Sequence, residues 1–187
     1  MKLGLLGGAF DPVHYGHLAV ARRALEALAL DEVLFLPAGS PPHKHDMLSF
    51  EVRCELIEAA LRRQPHMRVS SLDRFRGDTN YTFHLLERVR KRFPGAELFF
   101  LIGDDNVEEL QRWHRYREAL ELARFVVFTR NGRRRWSNLP YIDLLRFVPM
   151  EPVPVSSTQI RETLSKGGDI SPWVPPSVTD WLQKHGR

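Results

Sequence analysis

The sequence predicts an α/β fold, a doubly wound and mainly parallel sheet with helices on both faces. Three observations carry that reading. Short apolar runs recur along the 187 residues. Stretches with apolar side chains at helical spacing lie between those runs. The first run leads through a loop bearing Gly7, Gly8 and Gly16 directly into a helical pattern. Strand, helix and strand at this spacing imply right-handed parallel crossovers.

Taken in order, residues 2–6 form the first strand and a helix begins at or near His17, running to residue 28. Residues 32–37 read as a second buried strand, followed by a loop over 38–46 from which two prolines exclude helix. Apolar spacing over 50–61 makes the next helix, with Ser49 as N-cap and Pro65 beyond its end. Residues 67–70 are a short third strand, 74–78 a turn with two arginines, and 83–89 a helix entered through Thr79, Asn80, Tyr81 and Thr82. The most apolar strand, 97–103, belongs at the sheet centre. After it, Asp104 or Asp105 is expected to cap a helix through 107–110. A short helix over 118–123, a fifth strand over 124–129, a basic loop with Arg133, Arg134 and Arg135, and a last strand over 146–148 follow. Ser156 or Ser157 caps a helix to residue 164, Gly167 and Gly168 break it, and 178–184 form a final helix packed behind. No repeat or low-complexity linker divides the chain, which reads as one Rossmann-like domain with a C-terminal helical part at about 156–187.

Composition bounds the rest. A chain of 187 residues is long enough to bury about 70% of its unfolded surface. With 43% hydrophobic and 27% charged residues it has the make-up of a soluble domain. The net charge of +4 indicates a mild preference for anions without demanding nucleic acid. Cys54 is the single cysteine, so no internal disulfide forms, and it reads as a small core residue. No signal peptide opens the chain and no apolar run approaches the ~18 residues of a membrane span. A cytoplasmic enzyme fits.

The chemistry concentrates in the first loop, Gly7-Gly8-Ala9-Phe10-Asp11-Pro12-Val13-His14-Tyr15-Gly16-His17. The first N–H groups of a helix lack intrahelical partners and the dipole is positive there, so anions are welcome. His14 and His17 are three apart and share one side of the first turn. Two ring donors beside a helix mouth suit polyphosphate oxygens. Neither the G-x-G-x-x-G fingerprint nor the G-x-x-x-x-G-K-[ST] loop is present. A zinc site drawing His43 and His45 to the pair is the rival reading, weakened because no Cys or acidic residue stands at ligand spacing.

The pattern Gly-Gly-x-Phe-Asp-Pro-x-His-x-Gly-His resembles the signature of the nucleotidyltransferase superfamily that carries an HxGH motif, related to the HIGH motif of class I aminoacyl-tRNA synthetases. Four later stretches are similar to the nicotinate-nucleotide adenylyltransferases: Pro-Pro-His-Lys ending at Lys44, Tyr-Thr ending at Thr82, Gly103-Asp104-Asp105 followed by Trp113-His114, and Val155-Ser156-Ser157-Thr158-Gln159-Ile160-Arg161. The resemblance implies adenylyl transfer from ATP to nicotinate mononucleotide. It implies that His14 and His17 are catalytic and grip the triphosphate. Gly8, Ala9, Phe10, Gly103, Asp105, Ser156, Thr158 and Arg161 would bind ATP, with Asp105 on a ribose hydroxyl. Lys44, Thr82, Trp113 and His114 would bind the acceptor, Trp113 by stacking on the pyridine and Thr82 and the His114 N–H by meeting the nicotinate carboxylate. Magnesium would accompany ATP with few or no protein ligands, and no resident metal site is expected. Ala9 stands where the family usually has threonine, Asp78 and Asn80 where it more often shows Pro and Ser, and the charge of Asp104 is unexplained. Transfer to nicotinamide mononucleotide or phosphopantetheine, and a non-catalytic nucleotide or RNA binder using the arginine loop, stand as alternatives. No nucleic-acid or membrane partner is expected, and a homo-oligomer is left open.

Overall fold

The computed structural model describes residues 1–39, 47–74, 81–129, 136–151 and 153–185. Six strands make one sheet: β1 (Lys2–Gly8), β2 (Glu32–Pro37), β3 (Met67–Val69), β4 (Glu97–Gly103), β5 (Arg124–Thr129) and β6 (Leu145–Pro149). Their order is β3-β2-β1-β4-β5-β6, and every neighbouring pair runs parallel. The order reverses between β1 and β4, which opens a crevice above their carboxyl ends.

Alternation along the strands builds two cores. Leu3, Leu5, Leu34, Leu36, Phe100 and Val127 face one side, where α3 (Thr82–Arg92) and α4 (Tyr116–Leu122) cover them. Leu6, Val33, Phe35, Leu101 and Phe128 face the other, under α1 (Tyr15–Leu28), α2 (Phe50–Leu61), α5 (Ser157–Ser165) and α6 (Pro176–Lys184). Both faces of β1, β2 and β4 are buried, which is why these strands read as near-continuous apolar runs.

Most boundaries match the sequence reading within one or two residues. Ser49 accepts the Val52 N–H (3.2 Å) and Ser156 the Gln159 N–H (3.2 Å), so both expected caps form. The final helix packs on α2, with Trp181 Nε1 donating to Glu55 (3.2 Å) and Ser177 Oγ to the Ala59 carbonyl (2.8 Å). One expectation fails. Residues 107–110 do not form an Asp-capped helix; two 3₁₀ turns, Asp104–Asn106 and Leu110–Arg112, carry the chain off β4. The Asp104 carboxylate accepts from Thr129 Oγ1 (3.2 Å) and the Asp105 carboxylate from Asn106 Nδ2 (2.9 Å), so neither caps a helix.

Candidate active site

A cleft of about 540 Å³ lies above the β1–β4 crevice. Gly8, His14, Gly16 and His17 come from the loop after β1, Ala38 and Asp73 from beyond β2 and β3, and Thr82 from the start of α3. Gly103, Asp105, Asn106 and Trp113 come from the turns after β4, and Val155 from just before α5. Sequence positions spread over some 150 residues thus meet because a parallel sheet places every strand-to-helix loop at one end.

His14 is the N-cap of α1, so the helix starts at Tyr15 rather than at His17. The imidazoles stack at 3.7 Å between centroids. The His14 backbone N–H donates to His17 Nδ1 (3.2 Å), which leaves Nε2 as the His17 ring donor. The His17 N–H returns to the His14 carbonyl (3.0 Å), and the Tyr15 N–H is taken by the Trp173 carbonyl (2.9 Å). The helix mouth therefore offers fewer open donors than an isolated helix start would. His14 is only 7% exposed, and its Nδ1 is buried with no hydrogen-bond partner among the described residues. Gly16 is the residue that lets the rings sit so close, since a Cβ there would stand 3.0 Å from the His14 ring. Phe10, at φ 50° and 1% exposed, wedges its ring against His17 (4.8 Å) and Phe35 (5.5 Å).

Burial pushes the His14 imidazole from 6.5 down to about 4. Burial, then the neighbouring His14 ring, holds His17 well below its ordinary value. Both rings are neutral at pH 7 and act as dipolar donors, not as fixed cations.

On the far wall Trp113 is pinned edge-on against Phe100 (6.2 Å, 89°) and tilted against Phe125 (6.3 Å). His114 does not line the cleft; its ring stacks on Tyr81 (4.3 Å). Ala9, Phe10, Ser156, Thr158 and Arg161 also lie off the cleft lining, in the layer beneath or beside it. Arg161 donates to the Asp11 carbonyl (2.7 Å) and Thr158 Oγ1 (3.2 Å), and Ser157 Oγ to the Pro12 carbonyl (3.0 Å). The two motifs, far apart in sequence, are docked on one another. Lys44, His43, His45, Asp78, Thr79, Asn80 and Arg133 to Arg135 fall outside the described residues. Among the described residues no three His, Cys, Asp or Glu side chains gather to hold a metal.

Sequence reasoning passed over Arg53. Its guanidinium is 1% exposed and donates to the carbonyls of Leu48 (3.0 Å), Ala9 (2.7 Å) and Ala38 (2.8 Å). The signal was there: Arg53 shares a helical stripe with Ile57 and Ala60, both buried. It also passed over Asp73, a buried carboxylate on the cleft wall.

A family profile described as cytidylyltransferase-like matches residues 5–163. A Thermus thermophilus protein named "probable nicotinate-nucleotide adenylyltransferase" is 40% identical over 187 residues, spanning 100% of this chain and 98% of its own. One of the same name from Shouchella clausii is 38% identical, spanning 98% and 94%. Among solved structures, Plasmodium falciparum nicotinic acid mononucleotide adenylyltransferase complexed with NaAD superposes with a TM-score of 0.79 at 17% identity, covering 98% of this chain and 95% of that one. At that identity the likeness speaks for the fold.

Two outcomes follow from this geometry. Arg53→Met strands three half-buried carbonyls and removes the positive charge beside Asp11 and Asp73; denaturant titration should show a loss of about 3 kcal/mol. Because burial lowers both His14 and His17, the unfolded chain binds protons that the folded chain does not from pH 6.5 downward, to about 4 in the case of His14. Their contribution to stability is complete above 6.5 and is lost as pH falls through that window. Thermal melts should fall accordingly, and His14→Asn should flatten the decline.

Proposed function

The chain belongs to the cytidylyltransferase-like family, and we propose that within it the protein transfers the adenylyl group of ATP to nicotinate mononucleotide, releasing pyrophosphate and forming nicotinate adenine dinucleotide. The observation that carries this reading is the stacked His14–His17 pair at the mouth of α1, which lines one cleft with Thr82 and Trp113. A triphosphate grip and an aromatic acceptor surface within one crevice are what this reaction needs.

No covalent intermediate and no strong general base are required. The attacking 5′-phosphate has a second pKa of about 6, so it is mostly ionised at neutral pH. The protein must bring two anions into line and stabilise charge growing on the departing pyrophosphate. His17 Nε2–H and the His14 ring take that second task. Being neutral at pH 7, they impose no fixed charge on the site, and the approaching polyanion favours their protonation. Backbone groups of Gly8, Ala9 and Phe10 hold the phosphate tail, with Ser156, Thr158 and Arg161 supporting from α5 and Lys44 from the loop after β2. Gly103 and Asp105 take the adenosine ribose. Trp113 stacks on the pyridine, and Thr82 with the His114 main chain receives its carboxylate. Magnesium neutralises part of the triphosphate charge when bound, held by phosphate oxygens with few or no protein ligands.

Purified enzyme given ATP and, separately, nicotinate mononucleotide, nicotinamide mononucleotide or phosphopantetheine should release pyrophosphate fastest with the first. A preference for either of the others would overturn the acceptor assignment. His17→Ala should lower kcat by about 10²–10³, the usual cost of deleting one transition-state donor, in a variant whose circular dichroism spectrum shows it folded at the assay temperature. Unchanged turnover would remove His17 from the mechanism.

A further inference from the structure

Asp73 has no part in the mechanism above, yet it sits on the wall of the same cleft. It ends the 3₁₀ turn Ser71–Asp73 that follows β3, and it is 7% exposed. Its carbonyl accepts the Gly39 N–H (3.1 Å), tying it to the end of β2. Its Oδ1 lies 3.4 Å from Arg88 Nη2 of α3, while Arg88 Nε holds the Leu72 carbonyl (3.0 Å). The backbone of Asp73 is thus tied to the end of β2 and its carboxyl group to α3, and the residue lines the cavity shared with Thr82 and Trp113.

A carboxylate is a poor neighbour for most of what the reaction brings. Phosphates and the nicotinate carboxyl group are anions and would be repelled. The neutral donors are the ribose hydroxyls, for which acidic residues at the ends of parallel strands are well suited. Asp105 occupies the β4 side of the crevice, and Asp73 the β2–β3 side next to Thr82. We propose that Asp73 accepts hydrogen bonds from the ribose hydroxyls of the acceptor mononucleotide, and so sets the requirement for a ribonucleotide acceptor. This rests on the acceptor assignment made above.

Desolvation raises the Asp73 carboxyl from its ordinary 3.8 to about 7, with Arg88 and Arg53 opposing the shift. Among the described residues, the other titratable groups on the cleft are His14, His17 and Asp105. Hydroxyl donors favour the ionised form, so acceptor binding should weaken as pH falls through about 7.

The test compares nicotinate mononucleotide with its 2′-deoxy and 3′-deoxy analogues, in the wild type, Asp73→Ala and Asp73→Asn. With the wild type, at least one analogue should lose about tenfold to a hundredfold in kcat/KM, the scale of one hydrogen bond to a charged group. Asp73→Ala should show a similar loss with the parent acceptor and almost no further loss with that analogue, while KM for ATP stays unchanged. Asp73→Asn, which keeps the shape, serves if the alanine variant does not fold, and should flatten the dependence of the acceptor KM on pH near 7. Variants that discriminate ribose from deoxyribose as the wild type does, or that lose affinity for ATP instead, overturn the proposal. A wild type that releases no pyrophosphate with nicotinate mononucleotide overturns the underlying reading, and is seen before any variant is made.

Discussion

The Arg53 guanidinium is the contact on which the geometry of the cleft depends. It sits beneath the carboxyl end of the sheet and binds three carbonyls from three segments: Ala9 after β1, Ala38 after β2 and Leu48 before α2. Each carbonyl would otherwise be a half-buried acceptor lacking this donor, at a cost of about 1–3 kcal/mol. Lysine cannot replace it, because one ammonium lacks the flat fork that reaches three directions at once. The charge is tolerable because Asp11 and Asp73 lie close enough to favour it, against the desolvation that opposes it.

From that anchor the order passes outward. Arg53 fixes Ala9, two residues before Asp11. Asp11 accepts the Leu48 N–H on its side chain (3.2 Å) and Arg161 Nη1 on its carbonyl (2.7 Å). Arg161 reaches back to Thr158 on its own helix. The residues of the Ser-Ser-Thr-x-Ile-Arg segment therefore lock the first loop. Substitutions in that segment act on the loop even where no ligand is touched.

The sheet was legible because burial on both faces writes itself as continuous apolar sequence, as in Leu98 to Ile102. The histidines were legible as neighbours because three-residue spacing at a helix start puts both rings on one side, and the rings do stack. Arg53 was not read as central, since an arginine in a helix is usually solvated, and only its stripe with Ile57 and Ala60 marked it. Asp73 could not be placed, because its meaning comes from the fold bringing β3's end beside Thr82. The turns over 104–112 were misread for a local reason. Two aspartates after a strand look like caps, but their carboxylates are engaged by Thr129 and Asn106 instead.

The strand order explains why the imidazoles belong on β1 and nowhere else. β2 and β3 lie on one side of β1, and β4, β5 and β6 on the other. Segments from the first side contribute Ala38, Asp73 and Thr82 to the cleft; segments from the second contribute Gly103, Asp105, Asn106 and Trp113. Two substrates that react in line must meet between these walls, and the loop after β1 borders the crevice where they divide. A donor pair there can follow negative charge from the attacked phosphorus to the leaving group without moving. Gly16 suits the arrangement, since a Cβ there would stand 3.0 Å from the His14 ring and press on its stack with His17.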